Sequence, residues 1–373
     1  MVVGHFLKWM QTARVSERAA AAGALARAYI NAELPFEDRC AAEAALTLLL
    51  DDPSAKVRLA LADALSMSRY APMQIVSALA ADQPEVAALI LARSPLLTDS
   101  DLIDRVASGA SATQRLIAAR PAVSMALSAA IAEVGEAEAC RALLDNPSAD
   151  IASLSFRRMA ERHGDNAPLR EALLRDARLP SDCRHMLLVK LGDALKTSPL
   201  VIAMMGAARA ERITREACVR ASLMLIDTTH ASEFAALIEH LRIRGDLTAS
   251  FLVRAVAHGK IDFFGSALVA LTTQGEARVR ALLAGGQDVA LASLFRKAGL
   301  SITVHAVILR ALKVWREVAN GKRVAGAQEV TWLMLRELGE AGEGSELARL
   351  LKSIHLEALR ENARGHALAI AAA

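Results

Sequence analysis

The chain has 373 residues, of which 54% are hydrophobic, 23% charged and only 3% aromatic. That length exceeds a single compact core, the apolar fraction excludes extended disorder, and the shortage of aromatic and β-branched clusters argues against a β-rich fold. The net charge of +3 is too small to name nucleic acid as a partner by itself.

Charge is unevenly spread. Residues 1–200 hold 22 basic and 24 acidic side chains, and residues 201–373 hold 22 and 17, so a mild basic bias lies in the second half. The first residues, "MVVGHFLKWMQTARVSER", lack a long apolar core followed by a small-residue cleavage site, so no secretory signal is expected. The four cysteines, Cys40, Cys140, Cys183 and Cys218, form no C-x-x-C pair. Scattered thiols of this kind suit a reducing, cytoplasmic setting and read as small buried hydrophobes.

Along the chain, apolar residues recur at helical spacing almost everywhere, which predicts an all-α protein. In "LLDDPSAKVRLALADAL", Asp52 or Ser54 can cap a helix, Pro53 fits its first turn, and Val57, Leu61 and Leu65 share a face. Related phrases follow at Asp82, Pro84 and Val86, and at Ser111, Leu116 and Ile117. "LLDNPSADIASLSF" then repeats the first phrase, with Asn146, Pro147 and Ser148. Pro53 and Pro147 are 94 residues apart. Three steps over that distance give a period of about 31 residues, which suits helical hairpins. On this reading Pro147 opens a helix, so proline at Ala149 is tolerated where proline at Leu154 is not.

Asp99, Asp101 and Asp104 open a helix in "LLTDSDLIDRV", where they complement its positive end. "RLPSDCRHMLLVKLGDAL" offers Ser181 or Asp182 as a cap. "TSPLVIAMMGAA", Thr197 to Ala208, is too short to span a membrane and reads as a buried helix. A soft boundary at Lys196–Pro199 divides an N-terminal repeat array, residues 1–196, from a helical-repeat region continuing it, residues 197–373. Helices alternate with glycine turns at Gly259 and Gly285-Gly286, then through "SITVHAVILRALKVWREVANGKR" and "AQEVTWLMLRELGEAGEG", giving roughly eighteen helices in all. The ending "HALAIAAA" reads as a helix terminus or a frayed tail.

Asp52-Pro53 with Val57-Arg58 resembles a HEAT-type repeat. That resemblance implies an α-solenoid in which the Asp closes a turn and the Arg bonds a neighbouring unit. The second copy departs from the pattern, with Asn146 for Asp, Ile151 for Val and Ala152 for Arg. Most of the chain also resembles an uncharacterised bacterial family catalogued as domain of unknown function 2336. Residues 52–58 carry part of that resemblance. The rest lies in "GKIDFFGSALVALTTQGEARVRALLAGGQDVALASLFRKAGL", residues 259–300. The family supports the fold and assigns no chemistry.

Reactive motifs are not expected. Gly321-Lys322 is followed by Arg323 and lacks the upstream glycine of a P-loop. His230, Glu233, Glu239 and His240 do not converge on one metal from a single helix. Cys183 and His185 point apart, and no G-x-S-x-G elbow occurs. The expected catalytic, cofactor and metal residues are therefore none.

The function expected is a non-catalytic scaffold or adaptor that binds a protein partner on the concave face of a solenoid. Arginine outnumbers lysine by 35 to 9 and can grip carboxylates in pairs of hydrogen bonds. The candidate contacts are Arg58, Arg69, Arg93, Arg120, Arg157 and Arg158 in the first half. In the second half they are Arg278, Arg280, Arg296 and Lys297. Phe263, Phe264 and Phe295 are expected to anchor the second core. A HEAT-like nucleic-acid binder or alkylpurine DNA glycosylase is the disfavoured alternative, because it needs a strongly basic groove with a buried carboxylate and an aromatic. Oligomeric state is not legible.

Overall fold

The computed structural model describes residues 8–10, 12–339 and 344–372. The first seven residues and residues 340–343, which the readings above touch, lie outside these. Among the described residues all regular structure is helical, with a single isolated bridge between Val123 and Ala149. The described residues hold twenty-two α-helices of defined bounds and one 3-10 turn, more than the roughly eighteen expected, because most of these helices are only two to three turns long.

The chain forms two compact units, Met1–Leu179 and Pro180–Ala373. They divide one helix ahead of the Lys196–Pro199 boundary. Ser198-Pro199 does end a helix, but the helices on either side of the break pack together, so it is a turn inside the second unit.

Unit 1 runs α1 (Val15–Asn31), α2 (Phe36–Leu49), α3 (Ala55–Leu65), α4 (Met73–Ala80), α5 (Pro84–Arg93), α6 (Asp99–Ser108), α7 (Ser111–Ala118), α8 (Met125–Val134), α9 (Ala137–Asp145), α10 (Ser153–His163) and α11 (Ala167–Arg175). The short helices follow their caps. Thr98 and Asp101 form a reciprocal capping box at α6, and Pro84 occupies the first position of α5. Each odd-numbered helix packs on the next odd one from α1 to α11, and α6, α8 and α10 do the same.

Turns therefore alternate between two edges of unit 1, and the repeated phrase falls on both. The turn at Asp52 precedes odd-numbered α3, whereas the turn at Asn146 precedes even-numbered α10. Seven helices lie between them, an odd number, so they are not three whole hairpins apart. The local chemistry is shared: Asp52 Oδ1 accepts from the Ser54 N–H at 2.8 Å, and Asn146 Oδ1 from the Ser148 N–H at 3.0 Å. After the first turn a helix starts at once. After the second, the chain stays extended until Ser153, and Ala149 bridges back to Val123.

Unit 2 comprises α12 (Ser181–Thr197), α13 (Pro199–Met205), α14 (Ala207–Thr228), a 3-10 turn (Ala231–Glu233), α15 (Phe234–Arg244), α16 (Ala249–Ala257), α17 (Ile261–Thr272), α18 (Glu276–Gly285), α19 (Asp288–Lys297), α20 (Ile302–Ala319), α21 (Ala327–Leu338) and α22 (Glu346–Ala372). The final residues are thus helical through Ala372. This unit is organised around α16, whose Phe251, Leu252, Val253, Ala255, Val256 and Ala257 are all buried and which packs on five other helices. Phe263 meets Phe234 and Phe251 edge-to-face, and Phe264 meets Phe295, so Phe263, Phe264 and Phe295 lie in the core. "PLVIAMM" is the opposite of a buried helix: α13 buries none of its residues, and Leu200 and Met204 are 70% and 75% exposed.

Candidate functional site

The candidate arginines divide by what their guanidinium groups touch. Arg58 is part-buried. Its Nε and Nη2 donate to the Asp82 carboxylate at 2.6 and 3.0 Å, and its Nη1 donates to the Asp52 carbonyl at 2.6 Å. Arg18 makes the same paired contact with Asp52. The Asp–Arg clasp implied by the HEAT resemblance therefore has two rungs, both at the start of unit 1. Burial alone would raise the Asp52 pKa, but hydrogen bonds from Arg18 and the Ser54 N–H bring it below the usual carboxylate range. The hydrogen bond from Arg58 does the same for Asp82.

On the opposite edge the donors reach main-chain carbonyls. Arg120 is buried, and it donates to the carbonyls of Leu91 and Ser94 at the end of α5. Asn146 Nδ2 donates to the carbonyls of Ala118 and Arg120 at 2.9 and 2.8 Å, and Arg178 to that of Ala149 at 3.2 Å. Arg58 and Arg120 are thus interior struts. Arg158 pairs with Glu133 through two hydrogen bonds, Arg93 lies 3.7 Å from Asp63, Arg69 is exposed and Arg157 is half-buried. In unit 2, Arg278 and Arg280 project from α18, while Arg296 and Lys297 occupy the exposed last turn of α19, where cations complement the helix dipole. Of these four, Arg280 lines a cavity.

That cavity, of about 980 Å³, is walled by one face from each of three helices and, at one side, by Ala231 and Ser232 of the 3-10 turn and Phe234 at the start of α15. From α17 come Ile261, Asp262, Gly265, Ser266 and Val269; from α18, Glu276, Val279, Arg280, Leu283 and Ala284; from α20, Leu312, Trp315, Arg316, Ala319 and Asn320. Each set has the spacing of a single helix face. Gly259, at φ +77°, lets the chain turn into α17, and an added Cβ there would stand 3.1 Å from the Trp315 ring. Trp315 Nε1 donates to the Val256 carbonyl at 2.7 Å, which fixes the ring. Arg316 donates to the carbonyls of Leu283, Leu282 and Gly286, closing the end of α18. Glu276 and Arg280 pair with each other and are exposed, as is Asp262. The passage of residues 259–300 thus builds two of the three helical walls. Trp315 and Arg316 were not among the sequence candidates, although they fall on the same face as Leu312 and Ala319.

A second cavity, of about 340 Å³, lies among α12, α14, α15 and α16. His185 lines it at 2% exposure, and its Nδ1 has no hydrogen-bond partner. Burial, with His240 beside it edge-on, lowers its pKa to about 4, so the ring is neutral at pH 7. Gly192 permits close approach of α12 and α14, since an added Cβ would meet Cys218 Sγ at 2.5 Å. Burial raises the Cys218 pKa, which disfavours the reactive thiolate. The histidine and carboxylate cluster read in "HASEFAALIEH" is used structurally: His230 Nδ1 contacts Ser232, Glu233 accepts from the Ser181 N–H at the start of α12, and Glu239 pairs with Arg242.

The model of a family described as "Uncharacterised protein conserved in bacteria (DUF2336)" matches residues 86–342. No curated protein and no solved structure matches the chain. The matched span takes in every residue lining both cavities and leaves out the Asp52–Arg58 turn.

Proposed function

The chain belongs to this family of uncharacterised bacterial proteins, and for this member we propose a non-catalytic scaffold that binds a partner protein. Unit 1 is, on this reading, an α-solenoid of helical hairpins, a reading supported by its next-but-one packing and by turn side chains that reach the preceding turn. The observation that carries the proposal is the 980 Å³ cavity of unit 2. Its walls offer apolar side chains and a fixed tryptophan. Two of its donors, Trp315 Nε1 and the Arg316 guanidinium, are committed to main-chain carbonyls, and a third, Arg280, pairs with Glu276. Such a surface suits one or two apolar anchor side chains from a partner. The glycosylase alternative would need a basic groove beside a buried carboxylate. Here Asp262 and Glu276 are exposed, and Arg280 is paired with Glu276.

A photo-crosslinking residue at Ala284, on the cavity wall, tests this in native cells, with Lys322 on an exposed turn as the control position. The expected result is a discrete protein adduct from position 284 and none from 322. Recovery of nucleic acid without stoichiometric protein at physiological salt would overturn the proposal.

A further inference from the structure

The smaller cavity of unit 2 holds two polar groups whose bonding capacity the protein leaves unspent. One face of α12 and one of α14 line it, and burial rises along them from Lys196 and Glu211, which are exposed, to His185 and Ser222, which are buried. The exposed charges of the lining pair with one another: Asp193 with Lys196 and Glu211 with Arg215, both at 2.6 Å, and Asp246 with Arg244 at 3.0 Å. Arg254 differs. Its side chain is 13% exposed, and its one hydrogen bond among the described residues runs from Nη1 to Glu357 of α22 at 3.1 Å. That carboxylate also faces Arg220 at 3.9 Å, so one acid answers two guanidinium groups. The Nε and second Nη of Arg254 are left to donate. His185 is the other group, 2% exposed with Nδ1 unbonded. A buried nitrogen without a partner carries a desolvation cost that a ligand hydrogen bond would relieve.

We propose that this cavity binds a small organic carboxylate with an apolar body, held by an ion pair with Arg254 and a hydrogen bond with His185. The guanidinium fork suits a carboxylate, and the body would lie against Val189, Val219, Leu241 and Phe251. The volume of about 340 Å³ lies at the small end of ligand cavities and takes about 10–15 non-hydrogen atoms at interior packing density. A hydrocarbon would leave the His185 nitrogen unbonded. Inorganic phosphate would need several convergent donors, whereas apolar side chains make up much of this lining. The inference is independent of partner binding at the larger cavity.

The test is titration calorimetry on the full chain with phenylacetate, hydrocinnamate and octanoate, each against its own amide. At least one acid is expected to bind with a Kd below about 1 mM and about tenfold more tightly than its amide, the worth of one charge-assisted pair. Arg254→Met should abolish that preference, and His185→Leu should weaken the acid while leaving the preference in place. Location is read on the wild type, independently of any variant's fold. Cys218 lines the cavity and Cys40 is exposed in the other unit. With acid at about four times its Kd, modification of Cys218 by methyl methanethiosulfonate should slow about fivefold by mass action, with Cys40 unchanged. The proposal is overturned if no acid binds at about 10 mM, or if acid and amide bind alike. It is equally overturned if the preference survives Arg254→Met, if the bound acid leaves Cys218 unprotected, or if inorganic phosphate displaces the acid at equal concentration.

Discussion

Replacing Arg58 with methionine keeps most of the side-chain stem and removes the clasp. The guanidinium makes two charge-assisted hydrogen bonds to Asp82 and one to the Asp52 carbonyl, with the two side chains 16% and 14% exposed. That burial lies between a solvated surface pair, worth about 0–1 kcal/mol, and a fully buried one, whose rupture costs about 3–5. We expect Arg58→Met to destabilise the α3–α5 region by about 2 kcal/mol. Asp82→Asn should cost about half as much, because its side-chain oxygen still accepts from the Gln83 N–H. The double variant should fall short of additivity by about 1 kcal/mol. Arg58→Lys should recover little, since a single ammonium cannot span a carboxylate and a carbonyl in the same geometry.

The pair also sets a pH response. Asp82 titrates below its usual value because of Arg58, so its contribution is present above the unfolded carboxylate pKa of about 3.9. It is lost as pH falls through the lower folded value, and Arg58→Met should flatten that acid limb. Because the chain has two compact units, a single global melt is not the right readout. Hydrogen exchange resolved by peptide, in graded urea, reports residues 55–93 separately. If Arg58→Met changes their protection by less than about 0.5 kcal/mol, or if the two substitutions add, the clasp is not a coupled strut.

Three further predictions follow from particular contacts. Proline at Ala149 should now cost more than about 2 kcal/mol, while proline at Leu154 should cost less than about 1, the reverse of the order read from the sequence. Ala149 is buried and its N–H donates to the Asn146 carbonyl, whereas Leu154 is 76% exposed in the first turn of α10, and equal urea midpoints for the two would refute this. His185 has a folded pKa of about 4 against about 6.5 unfolded, so the unfolded chain binds more protons between these values and stability falls as pH drops through them. The wild type should lose about 2 kcal/mol more than His185→Leu between pH 7 and pH 5, and identical pH slopes in denaturation would contradict the burial argument. Gly259→Ala should cost about 1–3 kcal/mol, because it strains a positive φ and presses on Trp315. A shifted Trp315 fluorescence maximum should accompany the loss, and unaltered emission and stability would mean that the turn relaxes freely.

The helical class, the helix start at α6, the proline at the start of α5 and the burial of Phe263, Phe264 and Phe295 were all legible, since each follows from local propensity or from one helix face. The phase of the repeat was not. "DPSA" and "NPSA" encode the same two-residue side-chain turn, and that turn serves either edge of a stack, so the wording says nothing of which edge it occupies. Hydropathy likewise marked "PLVIAMM" as apolar without revealing that this chain leaves it uncovered. The large cavity stayed hidden for a different reason. Its three faces are each readable, but their convergence depends on Trp315 and Arg316 reaching carbonyls 59 and about 30 residues away in sequence.

That last feature gives the arginine excess a physical meaning. Helices of two or three turns leave a high density of unpaired carbonyls, because every helix ends with four that its own backbone cannot satisfy. A side chain able to bond several carbonyls at once is then worth more than one carrying a point charge. Arg120 spans Leu91 and Ser94, Arg162 spans Ala132 and Gly135, and Arg316 spans three carbonyls at the end of α18. The planar guanidinium fork makes such contacts with little loss of freedom per bond, whereas lysine must hold a flexible chain in place for each. Arginine at these positions stiffens the turns, which in a stack of short helices set the angle between neighbours. On the proposed function, the exposed remainder, Arg69, Arg278, Arg296 and Lys297, and Arg280 on the cavity wall are the arginines and lysine to vary in a partner-binding assay.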